Sequence, residues 1–301
     1  MFEIAVFSIV MVVRTAQCRR VAKLCLRTIV VVSVVRIDRE GAESIVILNF
    51  ATHPDTIGGN VISADWPGFA RSTLEAALGN VKCVMLNGAE GDVNHVNVFP
   101  KPGEENGLHK DFDDVDRGYE HAKHMGRAIA GAALQVYSKV RYVEVDSIDF
   151  KEVDAIVAAN IPDPSEIPIA IKYNELHNAG KDEEIPYKGM MLTTVLANSK
   201  RIVRLQNGPE SFSIPLIAFR LGNVVFAGIS GEPFSGIGMA IKENNSERDI
   251  VIPCCITNGN KGYFPMMDSY VEGGYESASS SFKAGVAETI IEEATKLIKS
   301  I

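Results

Sequence analysis

Cysteine is scarce in this chain: five in 301 residues, at positions 18, 25, 83, 254 and 255. An odd, thinly spread set excludes a disulfide framework and reads as free thiols in a reducing compartment, so the expected location is the cytoplasm. No Cys-x-x-Cys pair occurs, which excludes a thiolate zinc clip. No apolar run reaches the ~18 residues needed to cross a bilayer, so no transmembrane segment is expected. Positive charge is outweighed, with 30 Lys and Arg against 38 Asp and Glu and a net charge of −8. That balance excludes binding to nucleic acid through its phosphates, which needs a basic face. Internal repeats and low-complexity tracts are absent. The start also lacks the order of a secretory signal: the basic residues Arg14, Arg19, Arg20, Lys23 and Arg27 follow the apolar run 4–13 instead of preceding it.

What remains is a chain with 46% apolar and 23% charged residues, ordinary for a globular protein. At this length one large domain or two modest ones are expected, burying roughly 75% of the unfolded surface. The start reads as a strand over 4–13 followed by a basic amphipathic helix. Residues 29–37 and 44–49 read as a hairpin around Asp38-Arg39-Glu40-Gly41. Pro67 opens a helix with one apolar face, stopped by Gly79-Asn80. A short apolar strand over 81–86 follows, then a turn-rich loop, then a polar stretch over 96–116 long enough to be a lid or rim. A helix spans about 116–138 and a strand 140–150. Two weaker helices fall at 165–179 and 187–205, the second interrupted by Thr193, Thr194 and Val195. A second strand pair, 211–221 and 224–229, turns on Gly222-Asn223. A helix to about 242, a strand over 249–256 and a helix from about 282 close the chain. Strands alternate with helices but at least two pairs are hairpins, which predicts an α/β fold: one mixed sheet with flanking helices in a single layered domain.

Four strand ends deliver polar loops, which carry His53, the turn 87–92, Glu232 and Tyr263. In layered α/β proteins such ends are where ligands and metals gather. Pro54 ends the strand before it and leaves His53 at the opening. Glu232 is wedged between Gly231 and Pro233 at a strand-to-helix turn. One imidazole nitrogen and two oxygens make a donor set suited to zinc. The plainer alternatives are a core or cap histidine at 53 and a solvated first-turn glutamate at 232. Asp65 and Asp92 read as braces for loop N–H groups, with a supporting role toward His53 as an alternative. His95, beside Asp92, is an alternative ligand. His121 and His124 share a helix face that reads as solvated. Trp66 and Phe69 read as packing under the first helix, and Cys254-Cys255 as packed thiols.

The segment Asn49-Phe50-Ala51-Thr52-His53-Pro54, with Ile62-Ser63-Ala64-Asp65-Trp66-Pro67-Gly68, resembles the second-histidine motif of the neutral/alkaline ceramidase family. Leu86-Asn87-Gly88-Ala89-Glu90-Gly91-Asp92-Val93-Asn94 resembles that family's turn ending in Gly-Asp. Gly231-Glu232-Pro233-Phe234 is similar to its Gly-Glu motif. Asn260-Lys261-Gly262-Tyr263 and Tyr275-Glu276-Ser277-Ala278-Ser279 are similar to its two tyrosine motifs, at the same twelve-residue interval. Five motifs in order are far more specific than any one.

The resemblance implies a zinc-dependent hydrolase that cleaves the N-acyl amide of ceramide into a sphingoid base and a fatty acid, hence a small-molecule or lipid amide substrate. By position, His53, Glu232 and Tyr263 match three zinc ligands, and Tyr275 the tyrosine that touches the scissile amide. Asp92 is the second catalytic candidate. Three departures accompany this. No histidine precedes His53, whereas the family has an upstream one. Gly88 stands where the family carries a serine. The sequence ends after its closing helix, where the family continues into a β-domain. The expected organisation is therefore an atypical segment, 1–31, and a ceramidase-like domain, 32–301, of a truncated or misread copy whose upstream part carried the first histidine. A hydrolase of another N-acyl or ester substrate, and a catalytically dead fragment, are the alternatives.

Overall fold

The computed structural model describes residues 2–13, 28–95 and 117–301. The expected basic helix after residue 13 and the lid over 96–116 lie outside the described residues. Strand β1 (Phe2–Val13) pairs antiparallel along its whole length with β2 (Thr28–Arg39), which pairs antiparallel with β3 (Ser44–Phe50). Strand β4 (Val81–Asn87) lies parallel to β3. With β5 (Arg141–Val143) on β1, these make a five-stranded sheet in the order β4-β3-β2-β1-β5.

A second sheet holds four strands in the order β10-β8-β7-β6. Strands β6 (Ile148–Ala158), β7 (Ser211–Leu221) and β8 (Val224–Ile229) are antiparallel neighbours. Strand β10 (Ile250–Cys254) runs parallel to β8. The fold is therefore α/β and mixed, as expected, but built on two sheets rather than one.

Side-chain alternation shows how the sheets stack. On β2, Val32 and Val34 face one way and Val35 the other; on β8, Val225, Ala227 and Ile229 face one way and Val224 and Phe226 the other. Val35, Ile37, Ile47 and Val143 of the first sheet meet Val224, Phe226, Ile250 and Ile252 of the second in a shared core. The outer faces are covered by helices. Helices α1 (Asp65–Leu78) and α2 (Tyr119–Tyr137) cover the first sheet through Trp66, Leu74, Ile129 and Ala133. Helices α5 (Ser235–Glu243) and α8 (Val286–Lys299) cover the second through Ile237, Ile241, Ile290 and Leu297. The order of layers is helix, sheet, sheet, helix, and the dry faces explain why β3 and β8 are almost wholly apolar.

The predicted strand 140–150 is two strands in two sheets, β5 and β6. The chain crosses between the layers after Val143, and the Gly222 N–H bonds the Ser147 carbonyl at 2.9 Å as β6 begins. Beyond residue 150, β6 continues through polar Lys151, Glu152 and Asp154. Glu152 and Asp154 alternate with Val153, Ala155 and Val157, which pack inward, while Lys151, on the inward face at the edge, reaches the Ser300 hydroxyl at 3.0 Å, so the segment is a half-exposed strand. Helices α3 (Ile167–Asn178) and α4 (Gly189–Leu205) pack on each other, and α4 packs on α7 (Tyr275–Ser279).

Candidate functional site

Strands β3 and β4 run parallel, as do β8 and β10, and the carboxyl ends of all four meet at one edge of the sandwich. Buried Asn49, near the end of β3, ties them together. Its amide donates to the Leu86 carbonyl at 3.0 Å within its own sheet and to the Pro253 carbonyl at 2.9 Å across to the other. The Cys255 N–H reaches the Asn87 carbonyl at 3.0 Å, a second link between the layers.

His53 leaves β3 in a turn held on both sides. Its N–H donates to the Val93 carbonyl at 3.0 Å, and its carbonyl accepts from the indole N–H of fully buried Trp66 at 3.2 Å. Glu232 and Pro233 form β9 (Glu232–Pro233), a two-residue strand parallel to β11 (Tyr263–Phe264). That pairing sets Glu232 beside Tyr263 in register. Glycine is required where this segment meets its neighbours. A Cβ on Gly91 would lie 2.5 Å from the Glu232 carbonyl oxygen, and one on Gly231 would lie 2.5 Å from the Phe264 ring.

His53, Glu232 and Tyr263 lie together, and Tyr275 borders Tyr263. His53 Nδ1 lies 4.0 Å from Glu232 Oε2, with side chains 13% and 14% exposed. The His53 and Tyr263 rings stand edge to face at 5.9 Å, and the Tyr263 and Tyr275 rings at 6.1 Å. Burial pushes the Tyr263 phenol up, and Glu232, its hydrogen-bond partner and a neighbouring charge, pushes it further. The other oxygen of Glu232 accepts from the Asn260 amide at 2.7 Å. Asp92 stands on the same turn and accepts from the Ser235 N–H at 2.5 Å and its hydroxyl at 2.9 Å, at the start of α5. Asp65 braces similarly, taking the Ile57 N–H at 2.7 Å.

Further carboxylates crowd this pocket. Glu90 is 1% exposed, and burial pushes it up to about 7. Burial also pushes up Glu276, against the opposing pull of His53. Asp55 is held below the usual carboxylate range: burial would raise it, but its hydrogen bond with His95 and the charges of His95 and His53 win. The site is thus acidic, desolvated and furnished with nitrogen and oxygen donors. Among the described residues, no three His, Cys, Asp or Glu side chains are gathered tightly enough to hold an ion. The converging donors are His53, Glu232 and the Tyr263 phenol.

His95 does not join them. Its Nδ1 faces Asp55 at 3.3 Å and its ring lies 5.6 Å from that of His121. His121 therefore has a ring neighbour that helix spacing could not reveal, while His124 is exposed. Gly88 packs on Ala51, where an added Cβ would sit 3.0 Å from the Ala51 Cβ. Sequence reasoning passed over Glu90 and Glu276. Glu90 lies two residues before Asp92, between Ala89 and Gly91, and Glu276 directly follows Tyr275 at the start of α7.

Two solved structures share this fold. One is a neutral ceramidase from Pseudomonas aeruginosa, with a TM-score of 0.64, 13% identity, and coverage of 99% of this chain and 52% of that one. The other is a ceramidase complexed with C2, with a TM-score of 0.65, 13% identity, and coverage of 99% and 53%. The chain spans about half the length of the structures it matches. No protein-family profile matches it, and neither does any curated sequence.

Proposed function

We propose that the chain is a zinc-dependent hydrolase of an N-acyl amide, acting on ceramide or a related lipid amide. The observation that carries this is the meeting of His53, Glu232, Tyr263 and Tyr275, drawn from four separate segments, in one acidic pocket on a fold shared with ceramidases. His53, Glu232 and Tyr263 would hold the metal. When bound, zinc supplies Lewis acidity to the amide carbonyl and lowers the pKa of water toward about 7. The chain's own groups do the rest. Tyr275, whose proton burial helps to retain, donates to the oxygen on which negative charge develops. Asn260 fixes the direction of the Glu232 carboxylate. Asp92 fixes the start of α5 next to it.

The crowding at Gly88 favours attention to a second substrate class, other N-acyl or ester compounds. The family's serine has no counterpart here, so whatever it contributes to ceramide cleavage must be supplied otherwise or is missing. Purified protein is assayed for fatty acid release from short- and long-chain ceramides, an N-acyl amino acid and a fatty ester, with and without a chelator, alongside elemental analysis. Chelator-sensitive release with stoichiometric zinc is expected. Protein that carries no zinc after incubation with the ion and releases nothing refutes the proposal.

A further inference from the structure

Helix α7 carries Tyr275 at its first position and is five residues long, too short to hold its own direction. Gly274 precedes it and offers no side-chain cap. The anchor is at the other end. Arg201 of α4 is 6% exposed, and its Nε donates to the Ala278 carbonyl of α7 at 3.1 Å. Nη1 of the same guanidinium donates to the Asn160 carbonyl, just beyond β6, at 2.7 Å. Asn160 in turn grips the chain that leaves α7. Its N–H bonds the Ser281 carbonyl at 2.8 Å and its side-chain amide the Ser280 carbonyl at 3.3 Å. The Ser280 hydroxyl donates to the Tyr263 carbonyl at 3.0 Å. The exit of α7 is therefore fixed to the end of β6 and to Tyr263, whose ring is the one that Tyr275 meets.

Carbonyls at a helix C-terminus lack partners within the helix and favour a cation, so a cap alone would need one donor. Arg201 is a costlier device. Among the described residues it makes no ion pair; Nη2 bonds the Asn198 side-chain oxygen at 2.8 Å. Burial pulls its pKa down, and the attraction of Glu166 does not offset this. A guanidinium stays charged all the same. A charge taken out of water to bind neutral oxygens is a poor way to stabilise a fold. What the planar fork adds is direction, since its N–H groups are fixed relative to one another and set the angle between α7 and β6. We propose that Arg201 is a positioning residue for Tyr275, holding α7 through the Ala278 and Asn160 carbonyls so that the phenol stands beside Tyr263. This rests on the role given to Tyr275 above. Arg201 acts through α7 and takes no part in bond breaking.

The experiment uses variants of the full chain. Arg201→Gln is expected to lower kcat for fatty acid release from a short-chain ceramide about 10- to 100-fold, with KM and zinc content unchanged. Arg201→Lys is expected to recover part of the loss. In a Tyr275→Phe background Arg201→Gln is expected to cost little more, because both changes act through one phenol. Arg248→Gln is the control: it removes a guanidinium held by the Ile298 and Ile301 carbonyls and should lower the melting temperature without changing kcat. A second measurement needs no turnover. In protein labelled with fluorotyrosine, the fluorine resonance of Tyr275 is assigned by its loss in Tyr275→Phe. Arg201→Gln is expected to shift that resonance and Arg248→Gln to leave it in place. Should Arg201→Gln not fold, Arg201→Lys carries both readouts with smaller changes. An unmoved Tyr275 resonance overturns the proposal, and so does an equal loss of kcat with and without the Tyr275 hydroxyl. If the unaltered chain releases no fatty acid while Arg201→Gln still moves the resonance, the positioning stands and the hydrolase reading fails.

Discussion

Tyr275 touches the pocket through the ring of Tyr263, and the two phenols are given different work. Tyr275→Phe should lower kcat by about 10²–10³-fold, the usual loss for one oxyanion donor, with zinc content unchanged by elemental analysis. Tyr263→Phe should lower zinc content itself. Gly88 tests the fit of the family's serine. With the Ala51 Cβ 3.0 Å from an added Cβ, Gly88→Ser should destabilise the protein by about 1–3 kcal/mol in urea titration, without a gain in ceramide cleavage. Glu90 gives a pH test. Its pKa rises from 4.5 to about 7 on folding, so its protonated form is the one the fold favours. Its contribution is therefore neutral below pH about 4.5 and grows unfavourable as pH climbs to about 7, reaching about 3 kcal/mol. Zinc-stripped protein should lose stability across that window relative to Glu90→Gln, read by denaturant midpoints at several pH values.

At the scale of elements, α5 begins without a side-chain cap of its own and borrows one from another strand end. Asp92 supplies both acceptors for Ser235, so Asp92→Ala should cost about 1–2 kcal/mol. Asp92→Ala and Ser235→Ala should be less than additive in a double-mutant cycle, because each removes the same contact. From sequence Asp92 reads as a loop brace and a catalytic candidate, but nothing local names its partner 143 residues away. Local signals worked where they were complete. The hairpin over 211–221 and 224–229 is legible because apolar runs flank a Gly-Asn turn, and β7 and β8 keep those bounds. Helix α4 was weakened on paper by its threonines. In the structure the Thr194 hydroxyl bonds the Met190 carbonyl at 2.8 Å, so the residue satisfies itself within the helix. Strands β9 and β11 are two residues each and carry no periodicity, yet their pairing is what places Glu232 beside Tyr263.

For the whole molecule, the motifs at the strand ends were legible and the layering was not. A buried strand reads as apolar whether its second face meets a helix or another sheet, so one sheet and two give the same pattern. The distinction lies in what covers Val35, Ile47, Val224 and Ile252, which only the folded chain shows. Asn49 is a buried polar residue of that seam, in register with buried Ser33. Asn49→Leu should strand the Pro253 and Leu86 carbonyls, cost about 1–3 kcal/mol, and weaken zinc binding although the residue is no ligand; calorimetry on the same samples reads both. The bonds of Asn49 and Cys255 tie the two layers at the end of β3 and β10. The imidazole hangs from one half of the molecule, the carboxylate and phenol from the other, so neither half alone owns a chelate. A bound ion would then act as a rivet, and any excursion that parts the layers would release it before either layer unravels.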